Sequence, residues 1–466
     1  MSTEKSYDFS DLVLLVGTNP LPNYVIAKYF HVANTDMQRI WLFYSERSRF
    51  YAGTGQYADD IEGVLRKELI PRTPEVVKAP LSNISQANVI LDQVKKHLMK
   101  RESDIKKIHL NYTGGTKAMA VHTYRVLGNK LEARWGDNFS ASYLDARDFS
   151  IKIDQYPEKL TGDLRKLIQL KWEDLFALHN NEIKSIKNNY LYNIEISRQE
   201  AIMQSFAEMA ARSKLLDFRS WVNTANRNNS QRENASDKEM GLFNNPKDSI
   251  SDEEVENIIN ARLQAFTPEN NPELFNCLTA FPEADRFATK DGKWLYNNFV
   301  ISGKSNNSSL LTEFLTGKWL EAYVAWVLSK KIDEYKIERS DVVANYELKT
   351  RKGRGSHRYE VDILVTNGYQ VCGISCGTAL EYGENKQRIP AVVKTKGFEV
   401  ILRSSQMGGD EARAVLVTLL EARNAINLEN DLKASLGASG SRFMVLGIDD
   451  LKIERMWDKL EKHIYG

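Results

Sequence analysis

The feature that most constrains this chain is an alternation of short apolar runs with amphipathic stretches between residues 12 and 154. Such alternation predicts βαβ units around a mainly parallel sheet. The expected strands cover residues 12–16, 40–44, 76–79 and 108–112, and the expected helices cover 23–30, 58–68, 85–99 and 116–127. Two further runs, 139–144 and 149–153, predict a closing hairpin.

The remaining length requires more than one core, because 466 residues exceed the usual size of a single domain. Residues 156–309 predict a mainly helical middle, with helices at 159–178 and 199–216 and a segment at 223–252 too polar to bury much surface. From residue 310 the order is helix (312–330), three strands (342–349, 359–365, 369–375), helix (about 386–407), strand (412–419) and a terminal strand and helix. The fold class is therefore α/β: a Rossmann-like domain (1–155), the helical middle (156–309) and a second α/β domain with a mixed sheet (310–466).

Composition limits the possible partners and compartments. Sixty-three Lys and Arg residues balance 62 Asp and Glu residues, so any contact with nucleic acid must use a local basic patch. The three cysteines, Cys277, Cys372 and Cys376, do not form a disulfide framework and suit a reducing compartment. A polar N-terminus and the lack of any long apolar run predict a cytoplasmic chain with no membrane partner.

Two glycine-containing segments follow the first and fourth predicted strands. Loops at the carboxyl ends of such strands, next to helix N-termini, are where α/β sheets bind anions. Backbone N–H groups, threonine hydroxyls and a lysine favour phosphate there. The candidate ligand residues are Gly17, Thr18 and Asn19 in the first loop and Thr113, Gly114, Gly115, Thr116 and Lys117 in the second. Ser45 is added by its position after the second strand; the alternative for each loop is a tight turn with a threonine cap.

Carboxylates in the last third match the needs of a metal-dependent phosphodiesterase. Such a site uses acidic side chains to hold Mg²⁺ or Mn²⁺ and commonly a lysine to steady developing charge. Helix 312–330 carries Glu321, and the strand that follows the basic turn carries Glu360 and Asp362 on one face. We expect Glu321, Glu360 and Asp362 to be catalytic and Glu360 and Asp362 to bind the metal.

The next strand departs from this pattern. Ser375 stands where a further acid belongs, and Gly377 stands where the lysine belongs. A long lysine on the following helix could reach back, from Lys386, Lys394 or Lys396, and we take Lys394 as the candidate. The alternative is a site that has lost catalysis.

The turn at 349–358 is the clearest local basic patch. It carries four candidate nucleic-acid contacts, Arg351, Lys352, Arg354 and Arg358. Such side chains grip phosphates without reading sequence. The alternative is a solvated hairpin tip.

Several strings resemble a known family. LLVGTNPLPNYV and LNYTGGTKAMA resemble the two ligand loops of the CARF domain, the sensor module of type III CRISPR ancillary proteins, over about residues 10–155. EFLTGKWLEAYV, YEVDILV, GISCGT and KGFEVILRSSQMGGDEARAVLV resemble the PD-(D/E)XK nuclease domain of CARF effectors over about residues 310–420. Those effectors carry a lysine at the position of Gly377.

The resemblance implies a homodimer that binds a cyclic oligoadenylate, expected to be cyclic tetra-adenylate, across its two-fold axis. It further implies a ligand-switched, metal-dependent cleavage of DNA, RNA or both. Two alternatives stay open: a catalytically dead nuclease fold that binds nucleic acid or a partner, and a ring nuclease in which Thr18, Thr113 or Lys117 promotes cleavage of the cyclic ligand. A CARF transcription regulator fits less well, because the sequence lacks a clear helix-turn-helix.

Overall fold

The computed structural model describes residues 8–49, 51–129, 138–154, 160–226, 243, 251–301, 308–351, 358–380 and 388–466. The described chain is a mixed α/β structure with two six-stranded sheets, which confirms the predicted fold class.

The first sheet is built by the alternating segment. Its elements are β1 (Asp11–Val16), α1 (Leu21–Ala33), β2 (Arg39–Ser45), α2 (Gly55–Glu68), β3 (Glu75–Leu81), α3 (Ala87–Met99), β4 (Ile108–Asn111), α4 (Lys117–Leu127), β5 (Phe139–Asp145) and β6 (Ser150–Ile153). The strand order is β3-β2-β1-β4-β5-β6, parallel except for the final β5–β6 pair. The winding direction reverses between β1 and β4, and ligands bind α/β sheets in the crevice at such a reversal.

Both faces of this sheet are covered, which explains why β1 is apolar along almost its whole length. Leu12, Leu14 and Val16 lie in one buried cluster, whereas Val13 and Leu15 lie in another. Successive strand side chains point to opposite faces, so the two clusters alternate along β1.

The middle region differs in detail from its prediction. It contains α5 (Trp172–Leu178), β7 (Asn181–Ile186), α6 (Ile196–Ala211), α7 (Leu215–Ala225), α8 (Asp252–Leu263) and α9 (Pro272–Ala280). Only the last part of the expected helix 159–178 is α-helical, and the expected helix 199–216 is interrupted at Ser213, which has a φ of 60°. Strand β7 was not predicted; it adds to the edge of the second sheet beside β8. Most of the polar segment 223–252 lies outside the described residues.

The elements that form the second sheet follow the predicted order except that the helix Ala422–Leu436, which connects the last two parallel strands, was not predicted. These are α10 (Ser308–Glu313), a π-helical turn (Phe314–Lys318), α11 (Trp319–Glu334), β8 (Val342–Thr350), β9 (Arg358–Asn367), β10 (Gln370–Gly377), α12 (Ala391–Gly408), β11 (Arg413–Thr418), α13 (Ala422–Leu436), β12 (Phe443–Leu446) and α14 (Ile453–Tyr465). The strand order is β12-β11-β10-β9-β8-β7. Strands β7 to β10 pair antiparallel, and β10, β11 and β12 are parallel.

The two sheets share one apolar cluster. It joins side chains of β1 and α1 to Leu348, Tyr359 and Val371 of the second sheet and to Met407 near the end of α12. A buried hydrogen bond of 2.9 Å from Arg165, in the segment between β6 and α5, to Gln370 of β10 adds a polar contact to the second sheet. Among the described helices, none is long and apolar enough to cross a bilayer.

Candidate functional site

The two predicted ligand loops touch each other at the crevice between β1 and β4. A Cβ placed on Gly17 would lie 3.0 Å from the backbone nitrogen of Gly115, and Gly115 has a φ of 73°. A Cβ on Gly114 would lie only 2.1 Å from the carbonyl oxygen of Leu15. The loops therefore need glycine for their close approach, and together they form one surface, which we call the cradle (residues 17–19 and 113–117).

Helices α1 and α4 both begin at the cradle. The Asn19 Oδ1 atom accepts a hydrogen bond of 3.2 Å from the Leu21 backbone N–H, and Thr116 caps α4 by accepting 3.2 Å from Met119. Two helix N-termini place partial positive charge and N–H groups at the crevice. Lys117, the first residue of α4, is exposed there and adds a full positive charge.

Two further predicted ligand residues, Thr113 and Ser45, form hydrogen bonds with neighbouring residues of the fold. The Thr113 hydroxyl donates to Asn111 Oδ1 at 2.7 Å and accepts from the Leu144 N–H at 2.7 Å. Ser45 is buried, and its N–H donates to Thr54 Oγ1 at 3.0 Å. Thr18 and Lys117 are the exposed residues of the cradle, whereas its other residues are half-buried.

Two residues that support the cradle, Asn23 and Thr54, were not predicted from the sequence. The buried Asn23 donates 2.9 Å to the Leu15 carbonyl, beside Gly114. Thr54 donates 2.9 Å to the Val16 carbonyl and so joins the ends of β1 and β2. Each is a polar residue at the start of a helix, which signals a cap; here each side chain bonds a strand end instead.

A second cluster forms where β9, β10, α11 and α12 meet. Ser375 Oγ donates 2.7 Å to Asp362 Oδ2, and the Cys376 N–H donates 3.0 Å to the same oxygen. These bonds follow from the antiparallel register of β9 and β10, in which Ile374 pairs with Ile363. Ser375, at the expected position of an acid, therefore orients Asp362.

The structure brings Lys396 into this cluster. Its Nζ atom lies 3.8 Å from Asp362 Oδ2 and donates 2.6 Å to the Cys376 carbonyl. Its Cδ atom lies 3.8 Å from the point where a Cβ of Gly377 would be. The ammonium group of Lys396, carried by α12, thus lies near Asp362. The aliphatic part of the same side chain passes over Gly377.

Lys394, the lysine expected from sequence, lies elsewhere. Its ammonium group pairs with Asp431 of α13 at 3.5 Å. Two residues along a helix turn the side chain by about 200°, so Lys394 and Lys396 point to opposite sides of α12. Lys386, a further alternative, lies outside the described residues.

Glu321 is a half-buried acid of the cluster. Burial, together with the charge of Asp362, raises the pKa of Glu321 to about 8, although Lys396 and Lys318 oppose the shift. Its Oε2 atom is buried and has no hydrogen-bond partner among the described residues. The carboxyl group must therefore hold a proton or meet a cation.

Glu360 is at the edge of the cluster. It pairs with Lys187, and Lys318 lies 3.7 Å from its Oε1 atom. Its charge also contributes to the raised pKa of Glu321. These lysines compensate the charge of Glu360, whereas the Glu321 Oε2 atom has no hydrogen-bond partner among the described residues.

The π-helical turn Phe314–Lys318 leads directly into the helix that carries Glu321. The Thr316 carbonyl accepts 2.9 Å from Arg219 Nη1 and 3.3 Å from Thr378 Oγ1. Thr378 follows the end of β10, so the turn is anchored to the strand that carries Ser375. Turns of this kind concentrate at functional sites.

Glu321 and Asp362 are two acids that could hold a divalent cation, which would need further ligands. Within the described ranges, no group of three or more His, Cys, Asp and Glu side chains could hold a metal. The unpartnered Glu321 oxygen and the mutual repulsion of the two acids are what a cation between them would relieve. Water or substrate phosphate would have to complete its coordination, as Mg²⁺ sites commonly allow.

The basic turn is described in part. Arg351 and Arg358 are exposed at its two ends, whereas Lys352 and Arg354 lie outside the described residues. Arg358 begins β9, the strand that carries Asp362.

Comparison with known proteins identifies solved structures that have a similar fold. No protein-family model and no curated protein matches the chain. Protein VC1899 from Vibrio cholerae is 13% identical with a TM-score of 0.61, covering 97% of this chain and 98% of its own. Can2 from Sulfobacillus thermosulfidooxidans, solved with cyclic tetra-adenylate, is 15% identical with a TM-score of 0.56, covering 98% and 99%. The chain therefore shares the fold of these two proteins along nearly its whole length.

Proposed function

We propose that this protein is a cyclic-oligoadenylate-sensing effector of the CARF type, in which a ligand at the cradle switches a metal-dependent nuclease. The observation that carries the proposal is the contact between two glycine loops at the reversal point of the first sheet. The fold likeness to Can2, a protein solved with cyclic tetra-adenylate, supports the choice of ligand.

The ligand chemistry follows from the cradle. Its N–H groups, two helix N-termini and Lys117 suit phosphodiester anions. A cyclic tetranucleotide repeats the same phosphate and base around a ring, so it can present equal halves to two cradles related by a two-fold axis. A homodimer is therefore part of the proposal.

The nuclease chemistry rests on Glu321, Asp362 and Lys396. Glu321 and Asp362 would hold Mg²⁺ or Mn²⁺, which when bound polarises the phosphate and lowers the pKa of a bound water. Ser375 and the Cys376 N–H fix the Asp362 carboxylate. Lys396 supplies a positive charge that can orient the attacking water or stabilise the phosphorane-like charge.

The substrate would be DNA or RNA. Arg351 and Arg358, with Lys352 and Arg354 of the same turn, would hold its phosphates near Asp362. A binding-only protein was the alternative suggested by Gly377. The placement of Lys396 favours catalysis, because it restores the amine that the strand lacks.

Calorimetry with the full chain tests the ligand. Cyclic tetra-adenylate should release heat and raise the melting temperature, because a ligand bound only to the folded state stabilises it. Linear tetra-adenylate, which cannot close around two cradles, should bind more weakly. Absence of heat and of thermal protection with cyclic tri-, tetra- and hexa-adenylate would overturn the proposal.

A further inference from the structure

Helix α12 connects the two candidate sites. Lys396 lies near its start and Gly409 directly follows its end. At 1.5 Å per residue, these two positions are roughly 20 Å apart along the helix axis. One continuous helix therefore spans the distance between the nuclease-like cluster and the first domain.

The end of α12 lies against the cradle. A Cβ on Gly409 would lie 2.3 Å from Oδ1, 2.4 Å from Cγ and 2.5 Å from Nδ2 of Asn19. The amide group of a cradle residue thus covers Gly409, and a larger residue at this position would displace that amide group. The same Asn19 Oδ1 atom bonds the Leu21 N–H at the start of α1, so the contact is tied to the first ligand loop.

The helix is seated closely on β10. A Cβ on Gly373 would lie 2.2 Å from Ser404 Oγ, and a Cβ on Gly408 would lie 3.0 Å from the Cβ of Val371. Met407, the second-to-last residue of α12, belongs to the core shared by both sheets. Packed helices of this kind shift as units by about 1–2 Å in switching proteins.

At the other end, a small shift of α12 would alter the geometry of the amine. Lys396 Nζ now donates to the Cys376 carbonyl at 2.6 Å and lies 3.8 Å from Asp362 Oδ2. Movement by an ångström or so changes which of these partners the ammonium group binds.

We infer that α12 is the element that couples the two sites: the contact between Asn19 and Gly409 transmits ligand binding along the helix to Lys396. This inference rests on the proposed function and specifies its regulation. It requires that the ligand favour one position of α12 over another.

Two glycine variants test the contact between Asn19 and Gly409 separately from the effect of backbone strain. Gly409→Ala forces a side chain into a backbone with a φ of 67° and drives it into Asn19. Gly437→Ala, at the end of α13, meets a similar φ of 59° but nothing within 4 Å. The two variants share backbone strain, and only Gly409→Ala disturbs the contact with the cradle.

The measurement is the affinity for cyclic tetra-adenylate, with and without Mn²⁺ and a cleavage-resistant phosphorothioate oligonucleotide. Because coupling is reciprocal, occupancy of the nuclease-like site should change this Kd by about fivefold or more in the wild type and in Gly437→Ala. In Gly409→Ala the two Kd values should become equal. An unchanged ratio in Gly409→Ala would overturn the inference.

Hydrogen exchange on the wild-type protein gives a second test that needs no variant. Cyclic tetra-adenylate should change the exchange of α12 amides and leave those of α13 unaffected. Ligand binding without a change in α12 would contradict the coupling and leave the proposed function intact. Failure of any ligand to bind the wild type would instead remove the proposed function and the inference with it.

Discussion

Lys396 brings to Asp362 the amine that the sequence of strand β10 lacks. Gly377 has no side chain, and the Lys396 stem passes over it to bring the amine within 3.8 Å of Asp362. A site judged by its strand motif alone would be read as inactive. The charge that a phosphodiesterase needs can come from any element that reaches the acid.

We therefore predict opposite outcomes for two neighbouring lysines. Lys396→Ala should lower single-turnover cleavage in Mn²⁺ by about 100-fold or more, the usual cost of removing one group that stabilises developing charge. Lys394→Ala should change the rate by no more than about twofold, because its exposed ion pair contributes little. Equal losses in both variants would show that Lys396 has no special part in catalysis.

Glu321 should make cation binding depend on pH. Its pKa of about 8 means that the cation-free carboxyl group is protonated below that pH, so a cation must displace a proton. The association constant for Mn²⁺ should rise about tenfold per pH unit from pH 6 to 8 and level off above, because one proton is released. Titrations monitored by electron paramagnetic resonance would measure it.

The matched variant for this prediction is Glu321→Gln, which keeps the size of the side chain and cannot ionise. Its Mn²⁺ affinity should be weaker and nearly constant from pH 6 to 8. A wild-type affinity that is flat over the same range would mean that Glu321 does not bind the cation.

Sequence reasoning predicted acids and loops that the structure brings together, and it preferred Lys394 where the structure places Lys396 beside Asp362. Glu321 and Asp362 follow from a motif read along the chain, and the two glycine loops follow strands that are easy to recognise. The choice between Lys394 and Lys396 depends on which face of α12 meets the sheet. That rotation is set by contacts such as Gly397 against Leu432, which the local pattern does not reveal.

At the scale of elements, the cradle depends on backbone packing. Gly114→Ala should destabilise the fold by about 1–3 kcal/mol, because its Cβ would overlap the Leu15 carbonyl and the Asn23 amide. Gly63→Ala, at an exposed position in α2 with nothing within 4 Å, should stabilise by about 0.5–1 kcal/mol. Urea unfolding would measure both; a neutral Gly114→Ala would show that the loops are not closely packed.

The strands of the first sheet were predicted well, because they lie within one or two residues of their predicted ends. Burial on both faces makes β1 and β2 clear apolar runs. Strand β7 (NEIKSI) has only one fully buried residue, Asn181, and its pairing with β8 is long-range. The sequence of such an edge strand gives little indication that it forms a strand.

At the scale of the whole molecule, the two sheets are physically continuous. One apolar cluster includes β1, α1, parts of β8, β9 and β10, and the end of α12. A ligand that alters the cradle therefore acts on a surface already packed against the second sheet. This arrangement supports a switch within each chain, in addition to any change between subunits of the proposed dimer.

The proposed function requires that a cyclic ligand at the cradle control cleavage at Glu321, Asp362 and Lys396. The most direct measurement is cleavage of supercoiled DNA and single-stranded DNA and RNA by the wild-type protein in Mn²⁺, with and without cyclic tetra-adenylate. We expect cleavage that requires the ligand and disappears in Lys396→Ala. Substrates that stay intact while calorimetry shows the ligand bound would contradict the proposed function.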